Sequence, residues 1–181
     1  TLRKSRRELE ALLAQPGEPL IPELLTVAQN PTQVCDLPKT HLLLDEAAKW
    51  LEDIEDIPRL TYTLYRDTQR TGSHHLYATP YMRKRAKMTA AAFRVLLGDD
   101  RYVNALHDYI WSVCEESYWP LPQVERVFID LRAVGTGFTL AEIIVALEHR
   151  LEERVIRRVR EEIERRIFTP YLERHDELWW Y

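Results

Sequence analysis

The segment Cys114–Pro122 combines the side chains best suited to chemistry in this sequence. It contains two neighbouring carboxylates, Glu115 and Glu116, followed by the aromatic rings of Tyr118 and Trp119 and by a Pro-Leu-Pro bend. Loops at helix ends often carry working groups, and paired carboxylates can act as general acid and base. Adjacent helical residues, however, point about 100° apart. We therefore expect the two carboxylates not to share one face, and to be solvated or to cap the helix.

Tyr62, Tyr65 and Arg66 form a second candidate group, in a segment rich in aromatic rings. Together they can line a groove in which Arg66 holds a carboxylate by paired hydrogen bonds. A structural salt bridge is the alternative role for Arg66. A third aromatic group, Trp179-Trp180-Tyr181, ends the sequence. It leaves more apolar surface there than a soluble chain usually exposes at its end.

The positions of histidine and cysteine predict no metal site, no cofactor and no disulfide. His74-His75 follow a glycine in a polar loop, but further ligands at a suitable spacing are missing from the sequence pattern. Cys35 and Cys114 lie far apart and match no disulfide or metal framework. We expect both cysteines to be buried as small apolar residues.

Two charged runs are expected to lie on the solvated faces of helices. The basic cluster Arg83-Lys84-Arg85-Lys87 could meet a polyanion, although a charged outer face is the default interpretation. Glu and Arg residues three to four positions apart over residues 152–166 form the second run. The net charge of -4 argues against general nucleic-acid binding, which requires a basic excess.

Helices must position these residues, because the sequence contains no convincing strand pattern. It has 5 Gly in 181 residues and long runs rich in Ala, Leu, Glu and Arg, which favour helix. Apolar residues recur at three-to-four spacing from His41 to Asp56 and on both sides of Gly98-Asp99-Asp100. That short connection predicts an antiparallel helix pair, with Asp99 or Asp100 as the cap of the second helix.

Local signals predict four further helix boundaries. Thr79-Pro80 has the form of a helix start with proline at the first helical position. Thr71-Gly72 predicts a glycine stop, and Thr139-x-x-Glu142 has the spacing of a capping box. Thr169-Pro170 is expected to break or kink the last long helix.

The helices are predicted to form one domain behind a leader. Residues 1–40 hold short helices punctuated by prolines, and residues 41–181 hold antiparallel helical hairpins. No run of about 18 apolar residues is present, so no transmembrane helix is predicted. The first 15 residues predict an amphipathic helix rather than a signal peptide.

Three segments carry a resemblance to a known family. They are, in order, IPRLTYTLYR from Ile57 to Arg66 with Arg70-Thr71-Gly72 and Pro80-Tyr81; LGDDRY from Leu97 to Tyr102 with Cys114-Glu115-Glu116, Trp119 and Leu121-Pro122; and Ile129-Asp130-Leu131, Thr136, Ala141-Glu142-Ile143, Arg157 to Ile167, Pro170-Tyr171-Leu172 and Trp179-Trp180. Their order and spacing across residues 57–181 resemble the amino-terminal part of the heparinase II/III-like polysaccharide lyases.

The resemblance implies an all-α fold in which antiparallel hairpins form a partial (α/α) toroid, followed in the family by a β-sandwich domain. It also implies β-elimination on uronate-containing polysaccharides. That reaction needs a group to neutralise the uronate carboxylate, a base and an acid. In the family an Asn-Trp element and later Tyr and His residues supply them. The resemblance places these groups beyond Tyr181, in a missing C-terminal part of the chain.

This chain would then form one wall of the substrate cleft, and its partner would be an acidic polysaccharide or oligosaccharide. The resemblance adds a role for Trp119, which either stacks on a sugar ring or packs in the core at its helix end. The expected substrate-binding residues are Tyr62, Tyr65, Arg66, Glu115, Trp119, Trp179 and Trp180. The alternatives are a non-catalytic helical carbohydrate-binding domain and a protein-interaction scaffold.

Overall fold

The structure, a computed structural model, describes residues 5–13, 21–124 and 129–174. In these ranges the chain is all-helical and contains no strand, which confirms the predicted fold class. The helices are α1 (Arg6–Leu13), α2 (Pro22–Gln29), α3 (Thr32–Cys35), α4 (Pro38–Trp50), α5 (Tyr62–Thr71), α6 (His74–Leu96), α7 (Val103–Cys114), α8 (Leu131–Ala146), α9 (Glu153–Ile163) and α10 (Thr169–Arg174). Their arrangement as a partial toroid stays a prediction.

Helices α6 and α7 form the centre of the fold. They pack against each other across the short connection that the sequence predicted, and α6 also contacts α4, α5 and α8. Gly98 has a φ of 91°, which a residue with a side chain rarely adopts, so glycine permits the turn. The predicted aspartate cap is wrong. Neither Asp99 nor Asp100 makes a side-chain capping bond; the Asp99 carboxylate accepts two hydrogen bonds from Arg101 instead.

Helix α6 begins earlier than predicted and continues through Pro80. Its start at His74 makes the predicted start at Thr79-Pro80 wrong. A proline inside a helix costs about 3 kcal/mol, because it removes one backbone hydrogen bond. Burial of a long stripe outweighs this cost, since α6 lies between several neighbours. The buried stripe, spaced four, three, four, three and four residues apart, is Tyr77, Tyr81, Lys84, Met88, Ala91 and Val95.

Helix α8 also begins before the predicted capping box. The Asp130 carboxylate accepts a hydrogen bond from the Ala133 amide at 2.7 Å and so caps the helix, which runs without interruption through Thr139. Gly137 lies in this helix because another chain segment approaches it closely. A Cβ at this position would clash with Cδ1 of Ile167. The glycine is thus a packing requirement and not a helix break.

Helices α9 and α10 are joined by a π-helical turn, Glu164–Phe168. The Thr169 amide bonds the carbonyl of Glu164, five residues earlier. The distortion that was predicted at Thr169-Pro170 therefore takes the form of a wider turn just before this pair. The helical path continues through it.

The core lies between α6, α7, α8 and α9. One face of α7 is completely enclosed and consists of Leu106, Tyr109, Ile110, Val113 and Cys114. Cys114 is buried as predicted, whereas Cys35 is half-buried. On the outside of the fold, α1 packs against α10 and α2 packs against α8. None of the helices in the described ranges has the length and apolar character that crossing a membrane requires.

Candidate functional site

A cleft of about 900 Å³ opens beside the α6–α7 pair. One wall consists of residues 55–62 together with Tyr65 of α5, and the other consists of Ser112 and the segment Glu115–Tyr118. Tyr77 and Lys84, which are both buried in α6, form its floor. The cleft walls thus come from two segments of the sequence that are more than forty residues apart.

Tyrosine rings join the two walls of the cleft. The Tyr65 ring stacks on the Tyr118 ring with centroids 5.8 Å apart and an angle of 28° between the planes. It also contacts the Tyr77 ring edge to face, at 5.9 Å and 84°. The Tyr62 side chain stands at the cleft edge and is 75% exposed. Burial raises the pKa of Tyr77 to about 12, so this phenol stays neutral at physiological pH.

A buried ionic cluster lies at the floor of the cleft. It consists of Lys84, Arg85 and Glu116 and is called the floor cluster below. The Glu116 carboxylate accepts two hydrogen bonds from Arg85, at 3.2 and 2.8 Å, and lies 3.1 Å from the Lys84 ammonium. The side chains of Lys84 and Glu116 are only 4% and 2% exposed. Arg85 also stacks on the Tyr81 ring, 3.3 Å from its centroid, and donates a hydrogen bond to Thr136 at 2.8 Å.

The segment before α5 is held by two side chains from the core. Lys87, whose side chain is fully buried, donates to the carbonyl oxygens of Asp53 and Asp56. The Tyr109 hydroxyl donates to the carbonyl of Ile54 at 2.6 Å. Outside, the Asp56 carboxylate pairs with Arg83 at 2.9 Å. This wall is therefore fixed through its backbone.

Trp119 holds the opposite wall on the side that faces the core. Its indole N–H donates to the carbonyl of Val113 at 3.0 Å, and its own carbonyl accepts a hydrogen bond from the Tyr81 hydroxyl at 2.8 Å. The residue has no exposed surface. Trp119 therefore packs in the core at the helix end, and its ring has no face available for stacking on a sugar. Of the two roles considered for it, the structure supports the packing role.

Arg166 holds the same wall from the side of α9. It donates hydrogen bonds to the carbonyl oxygens of Cys114, Glu116 and Ser117, which lie at and beyond the end of α7. Carbonyl groups at and just beyond the end of a helix lack a helical partner, and the Arg166 guanidinium supplies donors to these three. The π-helical turn widens the helix where Arg166 reaches across.

Glu162 fixes the position of Arg166. Its carboxylate is buried and accepts hydrogen bonds from Arg165 and Arg166, while Arg158 pairs with it at 3.1 Å. Burial alone would raise the pKa of this carboxyl. The hydrogen bonds from Arg166 and Arg165 outweigh burial, so the pKa lies below its ordinary value.

The structure brings together three of the residues predicted for the site. Tyr62, Tyr65 and Glu115 line the cleft, and Glu115 accepts a hydrogen bond from the Trp111 indole at 2.8 Å. Arg66 does not line it. Arg66 is largely exposed and pairs with Asp67 at 3.0 Å, which matches the salt-bridge alternative. Trp179 and Trp180 lie outside the described residues.

The expectation of solvated charges fails at four positions. Lys84 and Lys87, assigned to an outer face, are 3% and 0% exposed, and Glu162, assigned to a solvated run, is 3% exposed. Glu116 is likewise buried and paired, neither solvated nor capping. A signal for Lys84 was present, since it lies seven residues after Tyr77 and four before Met88, on the apolar stripe of α6.

Within residues 5–13, 21–124 and 129–174, no group of three or more His, Cys, Asp or Glu side chains is placed to hold a metal ion. Comparison of the sequence with protein-family models and with curated proteins finds no match.

Proposed function

We propose that this chain forms the substrate-binding wall of a polysaccharide lyase-like protein that cleaves uronate-containing polysaccharides by β-elimination. The observation that carries the proposal is the tyrosine-lined cleft. Its two walls include residues 57–62 and Glu115–Tyr118, which belong to the segments that resemble the heparinase II/III-like lyases. Sequence resemblance and cleft geometry thus point to the same residues.

The lining of the cleft suits a sugar chain. Aromatic rings such as that of Tyr62 offer flat apolar faces to the C–H faces of a sugar, and their hydroxyls remain available to water and ligand. Polar groups suited to sugar hydroxyls stand among them and include Arg59, Ser112, Glu115 and Ser117.

The described tyrosines fit binding better than proton transfer. A base at neutral pH needs a pKa near the working pH. Burial instead raises the pKa of Tyr77 to about 12 and also raises that of Tyr81. The resemblance places the neutralising amide and the acid–base residues beyond Tyr181. We therefore assign this chain the task of holding the polymer while residues elsewhere carry out the chemistry.

The experiment uses the full-length natural protein and a set of uronate polymers, and it follows the absorbance of the unsaturated uronate product. We expect product from at least one polymer, and we expect Tyr62→Ala to raise the KM for it by about three- to tenfold. Phe138→Ala, which removes an exposed ring on α8 outside the cleft, serves as the control and should leave the KM unchanged.

Three outcomes would contradict the proposal. Binding of the polymers without product from any of them would favour a non-catalytic carbohydrate-binding domain. A protein that neither binds nor cleaves any polymer would favour a protein-interaction scaffold. An equal effect of Tyr62→Ala and Phe138→Ala on the KM would show that the cleft does not hold the substrate.

A further inference from the structure

We propose that Lys84 recognises an anionic substituent, carboxylate or sulfate, of the sugar bound in the cleft. The inference rests on the proposed function, since it requires the cleft to bind a saccharide. It assigns to one buried side chain the preference of the cleft for acidic over neutral sugars. The sequence had suggested Arg66 for carboxylate recognition, but Arg66 does not line the cleft.

The hydrogen-bonding capacity of Lys84 is only partly used inside the protein. An ammonium group has three N–H donors. Within the described ranges, the polar partner that the structure gives this group is Glu116, at 3.1 Å. Lys84 also lines the cleft. Donors that Glu116 does not occupy can therefore meet an oxygen atom of a ligand in the cleft.

The charge of the floor cluster is not balanced. Lys84 and Arg85 contribute two positive charges, whereas Glu116 contributes one negative charge. Arg85 already pairs with both carboxylate oxygens of Glu116, which is the favoured geometry for these two groups. The charge of Lys84 is therefore the surplus charge. A buried surplus charge is costly, and an anion from the ligand would complete the cluster.

The carboxylates at the cleft edge do not cancel this attraction. Glu55 and Glu115 are exposed, so water and salt screen them strongly. Asp56 is engaged by Arg83 at 2.9 Å and by Lys87 at 3.7 Å. Lys84, by contrast, is 3% exposed, and its charge acts in a poorly screened environment. An acidic group that reaches the floor would meet this cation.

Burial also gives Lys84 a fixed position. A surface lysine must give up the freedom of a long side chain to hold a ligand, which weakens its contribution. Lys84 is held by the packing of α6 and by Glu116, which Arg85 and the cleft wall hold in turn. It is therefore ordered before the ligand arrives, and its hydrogen bond costs little additional entropy.

The test measures binding by calorimetry to the full-length natural protein and its variants. The ligands are oligosaccharides of unsulfated chondroitin and oligosaccharides of heparin. Each is compared with its carboxyl-reduced counterpart, and heparin is also compared with its desulfated form. We expect the wild type to prefer the acidic form. Lys84→Met should weaken binding of that form by about ten- to a hundredfold and leave binding of its neutral counterpart unchanged. The group, carboxylate or sulfate, whose removal from the ligand abolishes the preference is the anion that Lys84 recognises.

Three further variants keep the test decisive. Lys84→Gln removes the charge but can still donate to Glu116, so it replaces Lys84→Met if that variant does not fold, and it should have the same effect. Lys84→Arg keeps the charge and should retain the preference. Arg66→Gln removes an exposed cation of α5 that pairs with Asp67, and neither of these two residues lines the cleft, so it should have little effect.

The results separate this inference from the proposed function. If the wild type binds the oligosaccharides but the neutral Lys84 variants keep its preference for the acidic form, this inference is overturned and the proposed function stands. If Arg66→Gln reduces the preference as much as Lys84→Met, general electrostatic attraction replaces a specific contact and the inference is again overturned. If the wild type binds none of the oligosaccharides, both proposals fail.

Discussion

The guanidinium of Arg166 lies 4.9 Å from the centroid of the Trp119 ring, and each side chain holds a different part of one cleft wall. Trp119 bonds the carbonyl of Val113 from within the core, and Arg166 bonds carbonyls of the segment between them from outside. A cation over an indole face adds attraction of its own. The cleft wall is therefore anchored to the π-helical turn after α9, which contributes no lining residue.

Loss of Arg166 should weaken the fold and the cleft together. Arg166→Met removes the donor to three carbonyl oxygens and one of the hydrogen bonds to the Glu162 carboxylate, so we expect the free energy of unfolding to fall by about 2–3 kcal/mol. Urea denaturation measures it. Arg165→Met is the matched control, because Arg165 bonds the same carboxylate but is 61% exposed. It should cost less than about 1 kcal/mol. Equal losses in the two variants would refute the anchoring role.

Lys87 should stabilise the opposite wall. Lys87→Met removes the donor to the carbonyls of Asp53 and Asp56. We expect the free energy of unfolding to fall by about 2–3 kcal/mol and amide hydrogen exchange to rise in residues 51–61. Lys49→Met removes an exposed lysine that pairs with Glu46 on its own helix, and should change neither measurement. Unchanged exchange in residues 51–61 of Lys87→Met would contradict this role.

The glycines of α8 should respond in opposite directions to alanine. Gly137→Ala places a methyl group against Ile167 and should destabilise the protein by about 1–3 kcal/mol. Gly135→Ala points into open space in the same helix and should stabilise it by about 0.5–1 kcal/mol. Thermal unfolding distinguishes the two. Adding Ile167→Val, which removes the clashing Cδ1 atom, should rescue part of the Gly137→Ala loss. A lack of rescue would place the strain elsewhere.

Acid should destabilise the protein partly through Glu162. The folded-state pKa of this carboxyl lies below its ordinary value of 4.5. Its contribution is therefore fully present above pH 4.5 and is lost as the pH falls through the lower, folded-state pKa. Urea denaturation from pH 6 downwards should show a shallower decline for Glu162→Gln than for the wild type. Parallel declines would mean that other carboxyls account for the acid sensitivity.

Local sequence signals located much of the fold. The glycine stop at Gly72 is present, with a φ of 71°, because the left-handed conformation that ends α5 strongly favours glycine. The packing of α6 against α7 across the short connection at Gly98 was also predicted. Both predictions depend on chemistry within a few residues along the chain. Such chemistry is visible without knowledge of the tertiary contacts.

The failures have a common physical cause in long-range packing. Lys84 and Lys87 were read as solvated because lysine usually is. Their partners, Glu116 and the carbonyls of Asp53 and Asp56, lie about thirty residues away in the sequence. The capping box at Thr139 and the start at Pro80 failed for the same reason, since burial of a whole helix face outweighed a local boundary signal.

The π-helical turn has a consequence for the register of the helix. A π turn contains one residue more than an α turn, so residues 164–168 behave as a one-residue insertion in a regular helix. Deleting one of them would let ordinary α-helix form, and α10 would keep nearly its present orientation, because the π turn has already absorbed the extra residue. The residues of the turn itself would shift around the helix axis, and Arg166 is one of them. Variation in length at this point of the chain would therefore change how Arg166 meets the cleft wall and leave α10 in place.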